Sequence, residues 1–259
     1  MSISERDFTF DQFIAGQGPV HWGTTFTNQH HRNVYPSIDP TTLKLPENYT
    51  VVITGAGKGI GSFIAKAYAK AGASHIVITA RTASDLDKVK SEILAINKAI
   101  TVDTCPGDAT DPSSYAAISS LLEGKRLDCL VCNAGGGGDT VGAGFAPKIH
   151  ETETSEFAQT VSLNYLAAYY AAKHLIPPML ATPNGAKTII NITSAASHMI
   201  GHPPLAYNMS KFATNRLTEV IAEGYRDEGL LAIAIHPGAV VTPAVEKVAP
   251  FMIPSKPDI

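Results

Sequence analysis

Cysteine is scarce in this chain of 259 residues, with only Cys105, Cys129 and Cys132 present. An odd and sparse count argues against a disulfide framework and suits a reducing compartment, so a cytoplasmic protein is expected. Charge is also thin: charged residues are 17% of the chain, the formal net charge is −3, and no basic run occurs. That pattern speaks against a nucleic-acid partner. No uninterrupted apolar run approaches the ~20 residues that a membrane helix needs, so no membrane partner is expected. The segment Met1–Asp7 is polar and lacks an apolar stretch, which speaks against a secretory signal. Internal repeats and low-complexity tracts are missing as well. What is plentiful is apolar residues, at 44%, enough for a sizeable core in one large α/β domain or two small ones.

Cys129 and Cys132 stand in a C-x-x-C spacing that could serve redox chemistry or half a zinc site. They lie in the apolar run Leu127–Cys132, which reads as a buried strand. Residues three apart on a strand point to opposite faces, so the two sulfurs should diverge. No second Cys or His pair offers zinc spacing, and no metal is expected.

Residues 1–48 read as an irregular arm anchored by Phe8, Phe10, Phe13, Trp22, Phe26 and Tyr35. His30-His31 reads as a surface pair. From residue 49 to 259 the pattern predicts one domain in which strands and helices alternate. Strands are expected over Tyr49–Thr54, His75–Ala80, Ile100–Cys105, Leu127–Asn133, Lys187–Ser194 and Leu230–His236. Between them, Ile60, Ile64, Ala67, Tyr68 and Ala71 mark one helical face, closed by Gly72. Leu86, Val89, Ile93 and Ile96 mark another. Asp111-Pro112 opens a helix with an N-cap and proline at the first position. Glu153 to Leu180 should form one or two helices broken at Pro177-Pro178, and Leu205–Asp227 a further one. Such alternation predicts a doubly wound parallel sheet with helices on both faces.

Two clusters carry chemistry. Gly55-Ala56-Gly57-Lys58-Gly59-Ile60-Gly61 lies between a strand and a helix, where backbone amides at a helix start favour a pyrophosphate. The second strand then ends at Ala80-Arg81, where an NAD site usually carries a carboxylate for the ribose 2′-hydroxyl. Arg81 and Lys58 suit the 2′-phosphate of NADP instead, the competing reading being two ordinary surface charges. Asp108 is placed to meet an adenine amino group, and Asn133-Ala134-Gly135 to let backbone approach the cofactor. Further on, Tyr207 and Lys211 are spaced i and i+4 and share one helix face. An adjacent ammonium should lower the phenol pKa and make a tuned proton donor. Ser194 precedes them as a hydroxyl donor. His198, His202 and His236 read as pocket lining.

In that order and spacing, Thr54-Gly55, Gly59, Gly61, Asp108, Asn133-Ala134-Gly135, Asn164, Ser194, Tyr207, Lys211 and Pro237-Gly238-x-Val240-x-Thr242 resemble the short-chain dehydrogenase/reductase family. The resemblance runs from Tyr49 to about Thr242 and implies a Rossmann-like fold. It also implies roles. Ser194 would bind the substrate carbonyl oxygen and Tyr207 would protonate it. Lys211 would bind the nicotinamide ribose and tune Tyr207, and Asn164 would hold a water linking Lys211 to solvent. The Pro237-Gly238 turn, Val240 and Thr242 would contact the nicotinamide end.

Departures are Cys132 in place of an asparagine, the long arm, and a short stretch after Gly238 in which no seventh strand is visible. The expectation is therefore either a truncated form of poor stability or a sheet edge covered by residues 1–48 or by a partner subunit, and a homodimer or homotetramer is expected. The leading expectation is an NADPH-dependent carbonyl reductase of a small or medium apolar ketone, in specialised metabolism. The alternatives are an alcohol dehydrogenase working in reverse, and a catalytically weak nucleotide-binding protein acting by association.

Overall fold

A computed structural model describes residues 33–136, 148–199, 204–238, 240 and 242. Within these residues six parallel strands form one sheet in the order β3-β2-β1-β4-β5-β6. They are β1 (Thr50–Thr54), β2 (His75–Ala80), β3 (Thr101–Pro106), β4 (Cys129–Cys132), β5 (Thr188–Ile192) and β6 (Leu231–Ile235). The order reverses between β1 and β4, the place where an open sheet leaves a crevice at its carboxyl edge. The helices are α1 (Gly59–Lys70), α2 (Ala83–Ile96), α3 (Pro112–Leu121), α4 (Thr154–Val161), α5 (Ala167–Leu180) and α6 (Leu205–Gly224). A π-helical turn, Ser162–Leu166, joins α4 to α5.

Alternation along the strands divides the core. Val51, Ile53, Ile76, Ile78 and Cys129 pack with α1 and α2 on one face. Val52, Val77, Leu130, Cys132 and Ile189 pack with α3, α5 and α6 on the other. Cys129 and Cys132 are thus buried on opposite faces and free, as the strand reading required. Gly72 follows α1 at φ +88°, a conformation that suits glycine. Asp111 caps α3, its carboxylate accepting from the Ser113 amide, with Pro112 at the first position.

Two predicted details are corrected. Pro177 and Pro178 lie inside α5 rather than breaking it. They fall in its last turns, where the two amide donors they lack would have served the carbonyls of Lys173 and His174. In α1 the deepest line is Gly61, Ser62, Ala65 and Ala69, not the larger Ile60, Ile64 and Tyr68. Small side chains let this helix press closely onto the sheet, leaving Ile64 and Tyr68 as half-buried flanks.

Of the arm, residues 1–32 lie outside the described residues, and with them the phenylalanines, Trp22 and His30-His31. Residues 33–48 are described. They make a short turn at Pro36–Ile38, and the Leu45 amide donates to Ala71 O at the C-terminal end of α1. This part sits beside β1, away from β6. Among the described residues β3 and β6 are the two sheet edges, and Leu231, Ile233 and Ile235 of β6 are exposed.

At the amino edge of the sheet, a fully buried carboxylate ties three strands together. Asp128 accepts from the Arg126 guanidinium at 2.6 Å through both Nε and Nη2. It also accepts the amides of Thr50 at 3.0 Å and Ala186 at 3.1 Å. Removing one member of such a buried pair leaves the other donors unsatisfied and costs about 3–5 kcal/mol. Asp128→Ala should therefore shift the urea unfolding midpoint strongly downward; an unchanged midpoint would show that the clamp contributes nothing.

Candidate active site

The glycine turn and the end of β4 are locked to each other. Thr54 Oγ1 accepts the amides of Asn133 and Ala134, each at 3.0 Å. Asn133 Nδ2 donates back to Thr54 O at 3.0 Å and Gly55 O at 3.1 Å. Asn133 therefore holds the turn with its side chain, while Ala134 and Gly135 present backbone. Gly55, at φ +65°, lies so close that a Cβ would sit 2.7 Å from the Ala134 Cα. At Gly61 a Cβ would meet Asn133 Nδ2 and Gly55 O at 2.5 Å. These positions admit only glycine, and the space they leave is the cradle a pyrophosphate needs.

The first turn of α1 adds to that cradle. It begins at Gly59-Ile60-Gly61, and its N-cap residue, Lys58, makes no side-chain capping bond, so the leading amides remain available to an anion. Thr242 approaches from the far end of the sheet, its Cγ2 3.5 Å from where a Gly59 Cβ would be. Pro237, Gly238 and Val240 follow β6 at the same carboxyl edge, Gly238 at φ +83°. The donor set thus fits a dinucleotide: amides for phosphates at α1, glycine backbone at β4, and strand ends beyond.

Asp108 follows β3 and folds into a local turn, its Oδ1 accepting the Thr110 amide and hydroxyl at 2.8 Å. Those bonds, with Arg81 nearby, hold its carboxyl below the usual range. Arg81 is exposed after β2. Lys58 is not the free cation that its place in the turn suggested. Its Nζ pairs with Asp85 Oδ2 at 3.0 Å. Nothing in the glycine motif signals this partner, which comes from the first turn of α2.

On the other side of the β1–β4 crevice, α6 supplies Tyr207 and Lys211 from one face. Lys211 is buried, and its Nζ donates to Ile192 O at 2.8 Å. It lies 5.7 Å from the centre of the Tyr207 ring. Burial pushes its pKa down to about 8, against a smaller opposing influence of Cys132. Burial pushes the Tyr207 phenol pKa up, against a smaller opposing influence of the neighbouring Ser194 hydroxyl. The expected lowering by Lys211 is therefore not what the structure shows. The ammonium is engaged with a backbone carbonyl and beside the ring, while the phenol is desolvated.

Ser194 caps the short 3-10 turn Ala195–His198, its Oγ accepting the Ala196 amide at 3.2 Å. Side chains from α6 fix that turn. Asn208 donates to the carbonyls of Ala196 and Met199. Thr193 Oγ1 donates to Asn215 Oδ1 at 2.6 Å, and Asn215 Nδ2 donates to Ser197 Oγ at 3.0 Å. Sequence reasoning missed these supporting residues, because amide-to-carbonyl contacts leave no spacing signature. His198 is exposed and sits edge-on to Phe212, His236 is exposed after β6, and His202 lies outside the described residues.

Asn164 occupies the π turn. Its Nδ2 donates to Gly136 O at 2.8 Å and Thr160 O at 3.0 Å, and its Oδ1 accepts the Gly136 amide at 3.0 Å. Its observed work is to clamp the Gly135-Gly136 segment. A Cβ on Gly135 would lie 2.6 Å from Asn164 Oδ1 and 3.2 Å from Lys211 Nζ, so the glycine backbone after β4 and the buried lysine of α6 meet at this residue. Among the described residues no cluster of His, Cys, Asp and Glu could hold a metal.

With this geometry the comparisons agree. The short chain dehydrogenase family model matches residues 49–252. The chain belongs to the short-chain dehydrogenase/reductase family. The short chain dehydrogenase pgmD of Aspergillus terreus is 47% identical over 236 residues, covering 88% of this chain and 75% of that relative. Among solved structures, the L-sorbose reductase of Gluconobacter frateurii, complexed with NADPH and L-sorbose, superposes with a TM-score of 0.66 at 27% identity. That match covers 79% of this chain and 73% of the reductase. Levodione reductase matches with a TM-score of 0.68 at 25% identity, covering 78% of each chain. The chain is thus an oxidoreductase of this family acting on a small molecule.

The buried lysine gives a pH test. Burial disfavours the ammonium, so the folded state binds this proton less tightly than the unfolded chain. Below about pH 8 both states hold it and the folded state bears the whole penalty. From there to the ordinary value of 10.5 the penalty fades, because only the unfolded chain remains protonated. Lys211→Met removes the group. Its stability relative to the parent, read from urea midpoints without added cofactor, should be most favourable below about pH 8 and decline toward 10.5. A difference that is flat with pH would sink this assignment.

Proposed function

We propose that this protein is an NADPH-dependent carbonyl reductase acting on a small or medium apolar ketone, with specialised metabolism as its setting. The observation that carries the proposal is buried Lys211 beside the Tyr207 ring at the Gly135 cradle, with the Ser194 hydroxyl next to the phenol. In this reading the bound cofactor supplies hydride to the carbonyl carbon. Ser194 donates to the carbonyl oxygen and orients it. Tyr207 gives that oxygen its phenolic proton as negative charge develops there. A phenol pushed up by burial is protonated at neutral pH, which suits an acid and disfavours the base that alcohol oxidation would need. Lys211, still charged near neutrality, offsets the phenolate left behind, and Asn164 keeps the cradle against it. That the donor geometry is complete speaks for catalysis over a purely associative role.

The proposed cofactor roles are these. Gly55, Gly59, Ile60 and Gly61 take the pyrophosphate, and Asp108 the adenine. Asn133, Ala134 and Gly135 line the ribose side. Pro237, Gly238, Val240 and Thr242 take the nicotinamide end. Arg81 and Lys58 take the 2′-phosphate, which the NADPH-bound relative supports by analogy. A cytoplasmic homodimer or homotetramer with residues 49–259 as the catalytic domain completes the proposal.

Two measurements test it. Charge-assisted contacts contribute roughly 1.5–3 kcal/mol each, so NADPH should bind at least about tenfold more tightly than NADH. Arg81→Asp should invert that order, and equal affinity of the parent for both would refute the cofactor assignment. Tyr207→Phe keeps the ring and removes the acid. It should abolish NADPH oxidation against a panel of ketones while leaving NADPH binding nearly intact, and a variant retaining most of its turnover would end the mechanism.

A further inference from the structure

We infer that Asp85 is a determinant of cofactor affinity and selectivity, acting as the resident counter-ion of Lys58. The inference rests on the reading of the site as an NADP(H) site.

The placement makes the case. Asp85 is the third residue of α2, where the amide end of the helix favours a carboxylate and fixes it in place. The glycine turn runs directly against it: a Cβ on Gly57 would lie 3.2 Å from the Asp85 Cβ and 3.1 Å from the Ala80 Cβ. The turn, the end of β2 and the start of α2 therefore border one small space. Arg81 begins the link across it. Within that space Asp85 Oδ2 holds Lys58 Nζ at 3.0 Å. The lysine side chain is 69% exposed and the aspartate 23%, so the aspartate is the anchored member and the lysine the one that can turn to another anion.

A ribose 2′-phosphate entering here meets a cation that already has a partner, and a carboxylate of its own sign close behind it. A 2′-hydroxyl meets neither conflict, because it carries no charge and can donate to a carboxylate. Asp85 thus opposes the phosphate selectively and narrows the preference that Arg81 and Lys58 create. An exposed ion pair contributes a modest amount, so its removal should alter affinity by about two- to fivefold.

The test uses adenosine 2′,5′-bisphosphate and adenosine 5′-monophosphate, which differ only in the 2′-phosphate, with calorimetric titration of the full chain. The parent should prefer the bisphosphate. Asp85→Asn and Asp85→Ser should each bind the bisphosphate about two- to fivefold more tightly than the parent, with the monophosphate unchanged or weakened. The gain should shrink in about 1 M salt, where the Debye length falls to about 3 Å. It should also vanish in a Lys58→Met background. Thermal melts of both variants check that α2 still forms, and the serine variant retains a helix-compatible polar side chain if asparagine disturbs it. If the parent prefers the bisphosphate and neither variant gains, Asp85 has no such role while the cofactor assignment stands. An equal gain for both nucleotides also overturns the inference. A parent with no preference overturns the cofactor assignment and this inference with it.

Discussion

The contact between the ends of β1 and β4 is the constraint on which the site depends. Two strands of a parallel sheet ordinarily splay apart once their ladder ends. Here the Thr54 hydroxyl accepts the two successive amides that follow β4, and the Asn133 side-chain amide returns to the carbonyls of Thr54 and Gly55. The turn that follows β1 is thereby pressed against Ala134, at a distance that no Cβ on Gly55 would tolerate. The glycines are therefore required twice, once for a positive φ and once for the approach. Because the same segment continues to Gly135, the glycine turn and the Asn164–Lys211 neighbourhood form one connected unit.

The π turn completes that unit from the helical layer. Opening one turn of backbone to an i→i+5 bond, Ala167 N to Ser162 O, rotates Asn164 so that its amide reaches Gly136. The Asn164 backbone carbonyl also accepts the Thr214 hydroxyl of α6 at 3.3 Å. That helix carries Tyr207 and Lys211, and through Asn208 and Asn215 it also fixes the turn that presents Ser194. Hydroxyl, phenol and ammonium thus share one rigid support, which is what a proton transfer over a short distance demands.

Much of this was legible in the sequence because it is local. β2 has the bounds its sequence predicts, since its run is apolar, β-branched and bounded by turn residues. Asp111-Pro112 announced α3 because capping chemistry involves neighbours in the chain. The i,i+4 spacing of Tyr207 and Lys211 placed both on one face for the same reason. What escaped reading depends on contacts between distant segments. The choice of Gly61, Ser62, Ala65 and Ala69 as the buried line of α1 reflects close approach to the sheet, which rewards the smallest residues, whereas periodicity points to the largest. The persistence of α5 through Pro177-Pro178 depends on the packing of its Leu175, Ile176 and Met179 into the core. The pairing of Lys58 with Asp85 depends on where α2 begins relative to the glycine turn.

The two lysines of the site show why charge in a motif is not enough to assign a role. Both sit beside the cradle and both read as cations available to a ligand. Lys58 is mostly exposed, so water screens it and its partner can be exchanged at small cost. Lys211 is buried, so every partner counts for more, and its engagement with Ile192 O offsets part of the cost of keeping a charge there. The same desolvation that makes its proton easier to lose makes the phenol beside it harder to ionise. Burial therefore drives the two groups toward their neutral forms together. A phenol that holds its proton more firmly than usual is the consequence, and it follows from the packing of α6 against the crevice rather than from the spacing of Tyr207 and Lys211 alone.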